Sequence, residues 1–182
     1  MPAPLQALGL DQSLSVSDRI DLDLVALIKN LELKALPITL ANGAVMGDIG
    51  DNVYARGISA DTTDMNFPAV EINSDGLREE EGESNFEEDV VIYRKRILIA
   101  DHASVLEAAS YSAQYLMWRE TIMRTLRGLV ARPLLPDVPE LQDVRLEPES
   151  VFDAQQQGGK FMWLISGFVA KFTTNQPRLR NG

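Results

Sequence analysis

The sequence predicts an α+β fold: a mostly antiparallel sheet of four to five strands, with one long and one shorter helix packed on one face, plus long loops. Three observations lead there. Two segments carry apolar residues at helical spacing, and four carry the β-branched and aromatic runs of strands. Helices and strands do not alternate regularly, which argues against a parallel doubly wound sheet. The strands fall in pairs that hairpins can join, which favours antiparallel pairing.

Residues 1–17, with Pro2, Pro4, Gly9 and several serines, read as an arm ahead of a single domain over 18–175. "SDRIDLDLVALIKNLELKAL" then places Ile20, Leu24, Leu27, Ile28 and Leu31 on one helical stripe. Ser17 or Asp18 can cap its start, Asp21 and Asp23 suit the positive N-terminal end, and Pro37 is expected to stop it. Residues 41–67 are rich in Gly, Asp and Asn and read as a long loop, with one short strand near Val53–Arg56. "PAVEIN" (68–73) reads as a strand that begins at a proline.

A second long loop follows, 73–89, "NSDGLREEEGESNFEED", with eight acidic side chains and one basic. A plain hairpin needs only about two to five residues there. "VVIYRKRILIADHA" (90–103) is a long strand whose middle, Arg94-Lys95-Arg96, puts charge on both faces. A strand with such a middle is expected at an edge, or with one end beyond the sheet. Ser104 to Glu107 form a capping box, and the stripe Val105, Ala108, Tyr115, Trp118, Ile122, Leu126 and Leu129 marks a helix of about 25 residues, about 40 Å long. Gly128 or the Pro133 region ends it. "RPLLPDVPE" is a connector, a short strand is expected around Asp143–Glu147, and "VFDAQQQGG" reads as a polar turn. "KFMWLISGFVAKFTTN" (160–175) is apolar on nearly both faces and is expected at the sheet centre. Residues 176–182 form a basic tail.

Composition bounds the function. The chain has 182 residues, 45% hydrophobic and 24% charged, enough to bury a core without disulfide or metal. There is no cysteine, which excludes disulfides, thiolate zinc sites and cysteine nucleophiles. The start lacks the basic and apolar regions of a signal peptide. The longest apolar stretch, "FMWLISGFVA", is about half of what a membrane helix needs. The expectation is a soluble protein made in the cytoplasm, without contact to membrane. A net charge of −10 repels nucleic acid over most of the surface.

Catalytic chemistry finds little support. His102 is the single histidine, and its neighbours Asp101 and Ser104 read as helix-cap groups rather than as a triad gathered from separate elements. "GDIGDN" and "DTTD" supply Asp48, Asp51, Asp61 and Asp64, but the calcium-loop spacing is missing and a solvated turn explains them as well. No phosphate-binding glycine motif occurs. Arg94-Lys95-Arg96 is too short for a nucleic-acid patch, and Trp118 and Trp163 read as core residues. The acidic run is either a solvated loop or a loop whose field is used. No enzyme activity, cofactor or metal is expected.

The leading helix "DLVALIKNLELKAL", "FPAVEI" with its acidic loop, "EEDVVIYRKRILIA", "SVLEAASYSAQYLMWRETIMRTL" and "GGKFMWLISGFVAKFTT" appear in an order and texture covering residues 18–36 and 67–174. In this the chain resembles the tail terminator proteins of long-tailed bacteriophages and related neck proteins. The resemblance implies a structural virion protein: a cyclic homo-oligomer, typically a hexamer, on the head-proximal end of the tail tube. It stops tube growth and binds tail tube protein and the head connector, and genomic DNA passes through without specific binding. Glu79, Glu80, Glu81, Glu83, Glu87 and Glu88 are then candidates for the pore lining, and Arg94, Lys95 and Arg96 for subunit contact. The 41–67 loop and the arm are longer than that family needs, so a head-closure or other neck protein is the nearest alternative. An acidic DNA-mimic or binding module unrelated to phage is the second, and a small hydrolase the third.

Overall fold

Two antiparallel strands form the spine of the structure, a computed structural model that describes residues 14–37, 43, 46–56, 66–74, 80–81, 88–102, 105–128, 135–148, 153–157 and 161–177. The elements are α1 (Val16–Lys29), β1 (Val53–Arg56), β2 (Ala69–Asn73), β3 (Glu80–Glu81), β4 (Glu88–His102), α2 (Val105–Arg127), β5 (Leu141–Pro148), β6 (Asp153–Gln157) and β7 (Phe161–Pro177). β4 and β7 pair along their whole shared length, from Glu88↔Pro177 to His102↔Trp163. The main path of the sheet is β1-β2-β4-β7-β5, with β3 added on β4 and β6 on β7. Among the described strands, only β1 and β2 pair in parallel. The fold is α+β, as the sequence predicts.

Alternation along the spine decides what is core. Tyr93, Ile97 and Ile99 of β4 lie opposite Phe172, Phe168 and Ser166 of β7, and all six are buried. On the flanking strands the same face carries Val70, Ile72 and Val144. α1 packs over β1 and β2, and α2 over β4, β5 and β7. Ile20, Leu24 and Ile28 from α1, and Tyr115, Trp118, Ile122 and Leu126 from α2, complete a single cluster. These are the stripes read from the sequence. Trp118 sits edge-on to Tyr115, ring centroids 6.0 Å apart.

Several expectations are corrected. α1 starts earlier, capped by Ser15 rather than Ser17 or Asp18: Ser15 Oγ accepts the Asp18 N–H, and the Asp18 carboxylate reaches back to the Ser15 N–H. The arm therefore ends before residue 17. α1 also stops at Lys29, well short of Pro37. Glu32 takes φ 45°, and the chain beyond it is claimed by tertiary partners. Leu33 C=O accepts from Ile49, Lys34 C=O from the Trp118 indole, and Ala35 N–H donates to Asp48. Those bonds replace the helical ones.

β4 is not an edge strand, since β7 lines one side and β2 and β3 the other. The segment read as a polar turn contains β6, which pairs with β7 from Asp153↔Ile165 to Gln157↔Phe161. β7 outruns β5 there, and β6 fills the exposed ladder. The acidic connection likewise contains a short bridge, β3, paired with Val91 and Ile92. β1 lies where the sequence placed it. Within the connector, two successive turns close with Val138 N–H to Leu135 C=O and Leu141 N–H to Val138 C=O, each with proline at its second position. Ser104, Leu129 and Pro133, residues 1–13 and the tail from 178 onward lie outside the described residues.

Candidate functional site

The charged middle of β4 is sorted by the pleat. Neighbouring side chains point to opposite faces, so Lys95 shares the helix-covered face with Tyr93 and Ile97, while Arg94 and Arg96 take the other. Lys95 is 1% exposed. Its ammonium donates to Ser17 Oγ (2.7 Å), Ser17 C=O (3.2 Å) and Ser74 Oγ (2.7 Å). Those three bonds use all three of its protons. Asp21 Oδ1 stands 2.9 Å away as a counter-charge. Burial pushes the Asp21 carboxyl above the usual carboxylate range, and the Lys95 ammonium opposes that shift. The expectation that Lys95 meets another subunit is thereby corrected: its charge is consumed inside its own chain, clamping the start of α1 to β4 and the end of β2.

Beside this clamp lies a cavity of about 420 Å³, with Ser17, Asp18, Asp21 and Ser74 among its lining and Leu22 on its wall. Among the described residues no group of three or more His, Asp or Glu can hold a metal ion.

The opposite face carries the second arrangement. Strand register sets Arg94 opposite Lys171, and Lys171 opposite Arg145, so three cations stand in one row across β4, β7 and β5. Like charges directly opposite destabilise a sheet. Glu147 partly relieves the row, taking Lys171 Nζ at 2.8 Å and Arg94 Nη2 at 3.5 Å. The Lys171 ammonium holds the Glu147 carboxyl below the usual range. Arg145 pairs with Asp143 at 2.8 Å. Arg96 follows on the same face, opposite Asn73 and Val169. At its centre this face holds four cations (Arg94, Arg96, Arg145, Lys171) beside three anions (Glu71, Asp143, Glu147), and register adds the positions of Arg56, Glu80, Glu88 and Asp153 at its margins. The cations are thus gathered at the centre of the face, in a chain of net charge −10, while the face as a whole carries no positive surplus.

The sequence reading missed the row because its members come from three strands. One signal was available: "DVRLE" alternates Asp143, Arg145 and Glu147 against Val144 and Leu146 at a period of two. Lys171 is the only charge between Phe161 and Pro177.

Of the acidic candidates, Glu79, Glu83 and Glu87 lie outside the described residues. The backbones of Glu80 and Glu81 pair with Ile92 and Val91, and Glu88 opens β4 opposite Pro177. The structure therefore brings these three backbones to one end of the β4–β7 ribbon. Asp61 and Asp64 also lie outside the described residues, while Asp48 is engaged with Ala35 N–H and Lys34. Asp101 accepts the Tyr115 hydroxyl at 2.8 Å, tying α2 to β4. His102 closes β4 opposite Trp163. No described helix is long and apolar enough to cross a membrane.

No family model matches the chain, and no curated protein matches it in sequence.

Proposed function

We propose that the chain is a structural virion protein, a tail terminator whose copies close into a ring, typically of six, at the head-proximal end of a phage tail tube. Its partners are further copies of itself, tail tube protein and the head connector, and genomic DNA passes through the ring without being gripped. It acts without catalysis or cofactor.

One observation carries this reading: the row Arg94–Lys171–Arg145, with Arg96 beside it, on the sheet face that the helices leave free. A ring is built from a head-to-tail interface, in which two unlike patches meet. A row of cations on an anionic chain can serve as one half of such a pair, and opposite charge gives orientation and selectivity at a contact. Arg94 and Arg96 remain subunit-contact candidates, now joined by Arg145 and Lys171. The acidic stretch, with Glu79, Glu80, Glu81, Glu83, Glu87 and Glu88, is the candidate for the bore. Carboxylates there repel phosphate over about 8 Å at physiological salt, which suits a narrow channel. The resemblance in element order supports the same assignment.

The test is the mass of the purified chain by light scattering, with electron microscopy of the particles. The reading expects a closed oligomer that Arg94→Glu with Arg145→Glu dissociates into folded monomers. A chain that is monomeric at every concentration, with or without tail tube protein, overturns it. Capture of tail tube protein supports a terminator. Capture of the portal or its adaptor instead moves the chain to a head-closure role.

A further inference from the structure

The cavity beside α1 lies at one edge of the sheet, and its lining is unbalanced in charge. Leu14, Leu22 and Ala55 form its apolar walls, and Asp18 and Asp21 its charged ones. Asp18 spends Oδ2 on the Ser15 N–H and hydroxyl, and Asp21 turns Oδ1 towards Lys95. The other oxygen of each carboxylate takes no donor among the described residues. Two carboxylates against the one Lys95 ammonium leave the site one negative charge in excess. Its volume, about 420 Å³, lies in the range of pockets that enclose a whole small ligand.

The neighbouring strand is open as well. β1 ends the sheet on this side, and among the described residues nothing pairs with its outer edge. Asn52 C=O accepts the Val70 N–H at 2.8 Å. Alternation along the parallel pair then turns the backbones of Tyr54 and Arg56 towards β2 and that of Ala55 outward. An outward N–H and C=O at a sheet edge are a template for an incoming strand. A residue set directly opposite Ala55 shares its face of the sheet, and that face lines the cavity. Edge and cavity are therefore one site, in which an extended segment pairs with β1 and drops one side chain into the pocket. The excess negative charge selects a cation, and the three apolar walls select a long aliphatic stem; arginine and lysine combine the two. Leu22 stays 40% exposed in the free chain, and such a stem covers it.

We propose that this site takes the basic tail of a second copy, with Arg178 or Arg180 seated in the pocket and the tail backbone paired with Ala55. The two arginines flank Leu179, so in an extended segment they share one face and either can stand opposite Ala55. The tail does not come to its own pocket. Pro177 stands opposite Glu88, seven residues along β4 from Lys95, which is about 23 Å at about 3.3 Å per residue. Arg180 is three residues past Pro177, a reach of about 10 Å. The guanidinium brings donors for the carboxylate oxygens that the chain leaves unused. The contact goes beyond ring closure, since it joins any two copies and does not involve the cationic row.

Fluorescence anisotropy tests it. The labelled peptide Gln-Pro-Arg-Leu-Arg-Asn-Gly is titrated with the full chain carrying Arg178→Ala and Arg180→Ala, whose pocket meets no competing tail. The peptide should bind saturably, and replacing both its arginines by alanine should weaken it about tenfold or more. Leu22→Arg sets a like charge on the pocket wall at an exposed helix position, and should weaken the peptide as much with an unchanged urea midpoint. Ala55→Pro removes the outward N–H at an edge, where proline is tolerated, and should also weaken it. Absence of binding overturns the proposal, as does equal binding by the alanine peptide, or by the wild-type peptide to Leu22→Arg or Ala55→Pro. The peptide is a single tail, so the titration reads the pocket whether or not the chain closes into a ring.

Discussion

Replacing Lys95 by Met isolates the clamp under α1. Met keeps the length of the stem and its packing between α1 and the sheet, and removes only the ammonium. Three hydrogen bonds go with it, to Ser17 Oγ, Ser17 C=O and Ser74 Oγ. At about 1 kcal/mol each, the loss is about 3 kcal/mol. Asp21 is then left without its counter-charge at 21% side-chain exposure, which adds a part of the about 3–5 kcal/mol typical of a broken buried pair. The adjoining cavity lets water reach Ser17, Ser74 and Asp21, so the expected total stays near the lower end, about 3 kcal/mol. Asp21→Asn alone should cost about 1 kcal/mol, whereas in the Lys95→Met background it should restore about as much, a coupling of about 2 kcal/mol. Urea unfolding at one fixed protein concentration, with an unchanged m-value, measures all four proteins. Two outcomes refute the clamp: Lys95→Met costing under about 0.5 kcal/mol, or the two substitutions adding within about 0.5 kcal/mol.

Three further outcomes are expected. Gly167→Ala places a Cβ 2.7 Å from Leu98 Cδ2 and 2.9 Å from the Ile97 carbonyl oxygen. It should destabilise the β4–β7 pair by about 1–3 kcal/mol, and Leu98→Ala should rescue it only in part, because the carbonyl cannot move aside; full rescue in thermal unfolding would contradict this. Burial pushes the Asp23 carboxyl from its ordinary value of 3.8 up to about 6, so its contribution is complete below about 3.8 and lost as pH rises through about 6. Asp23→Asn should therefore gain on the wild type between acidic and mildly alkaline pH by up to about 3 kcal/mol, roughly two pKa units at 1.36 kcal/mol each, and a pH-independent difference in urea midpoints speaks against it. Neutralising Glu79, Glu80, Glu81 and Glu83 to Gln should leave the oligomer's mass unchanged while slowing DNA ejection from assembled particles; loss of the oligomer would reassign the stretch to an interface.

Both helices, the long central strands and the α+β class were legible because their signals are local. Ile20, Leu24 and Ile28, and then Tyr115, Trp118, Ile122 and Leu126, repeat at a spacing that only a helix face satisfies, and all seven are buried. What failed to show depends on partners far along the chain. α1 ends early because Asp48 and Trp118 bind the backbone of residues 34 and 35, which no periodicity in 17–36 encodes. β6 carries three glutamines and no apolar alternation, yet a ladder needs only backbone groups, which the end of β7 offers. Lys95 looked like a surface charge because its partners Ser17, Asp21 and Ser74 lie 21 to 78 residues away.

The misreading of Lys95 sharpens the reading of its neighbours. A charged strand centre points to an exposed edge if a core strand cannot tolerate it. The structure meets that constraint differently, by spending one charge inward and two outward. The inward charge is neutralised within the chain, so it contributes rigidity and nothing to recognition. The outward pair, Arg94 and Arg96, joins Lys171 and Arg145 from strands β7 and β5, which lie far along the chain. A row of like charges works against the sheet that carries it, and Glu147 and Asp143 relieve it without cancelling it. Such a cost in the free chain is recovered when an anionic surface covers the row. A second copy of the chain, of net charge −10, can supply an anionic surface of that kind. Charge reversal at Arg94 and Arg145 should therefore leave the monomer as stable as before, or more so, while abolishing association. A parallel loss of stability and association would mean that the row serves the fold alone.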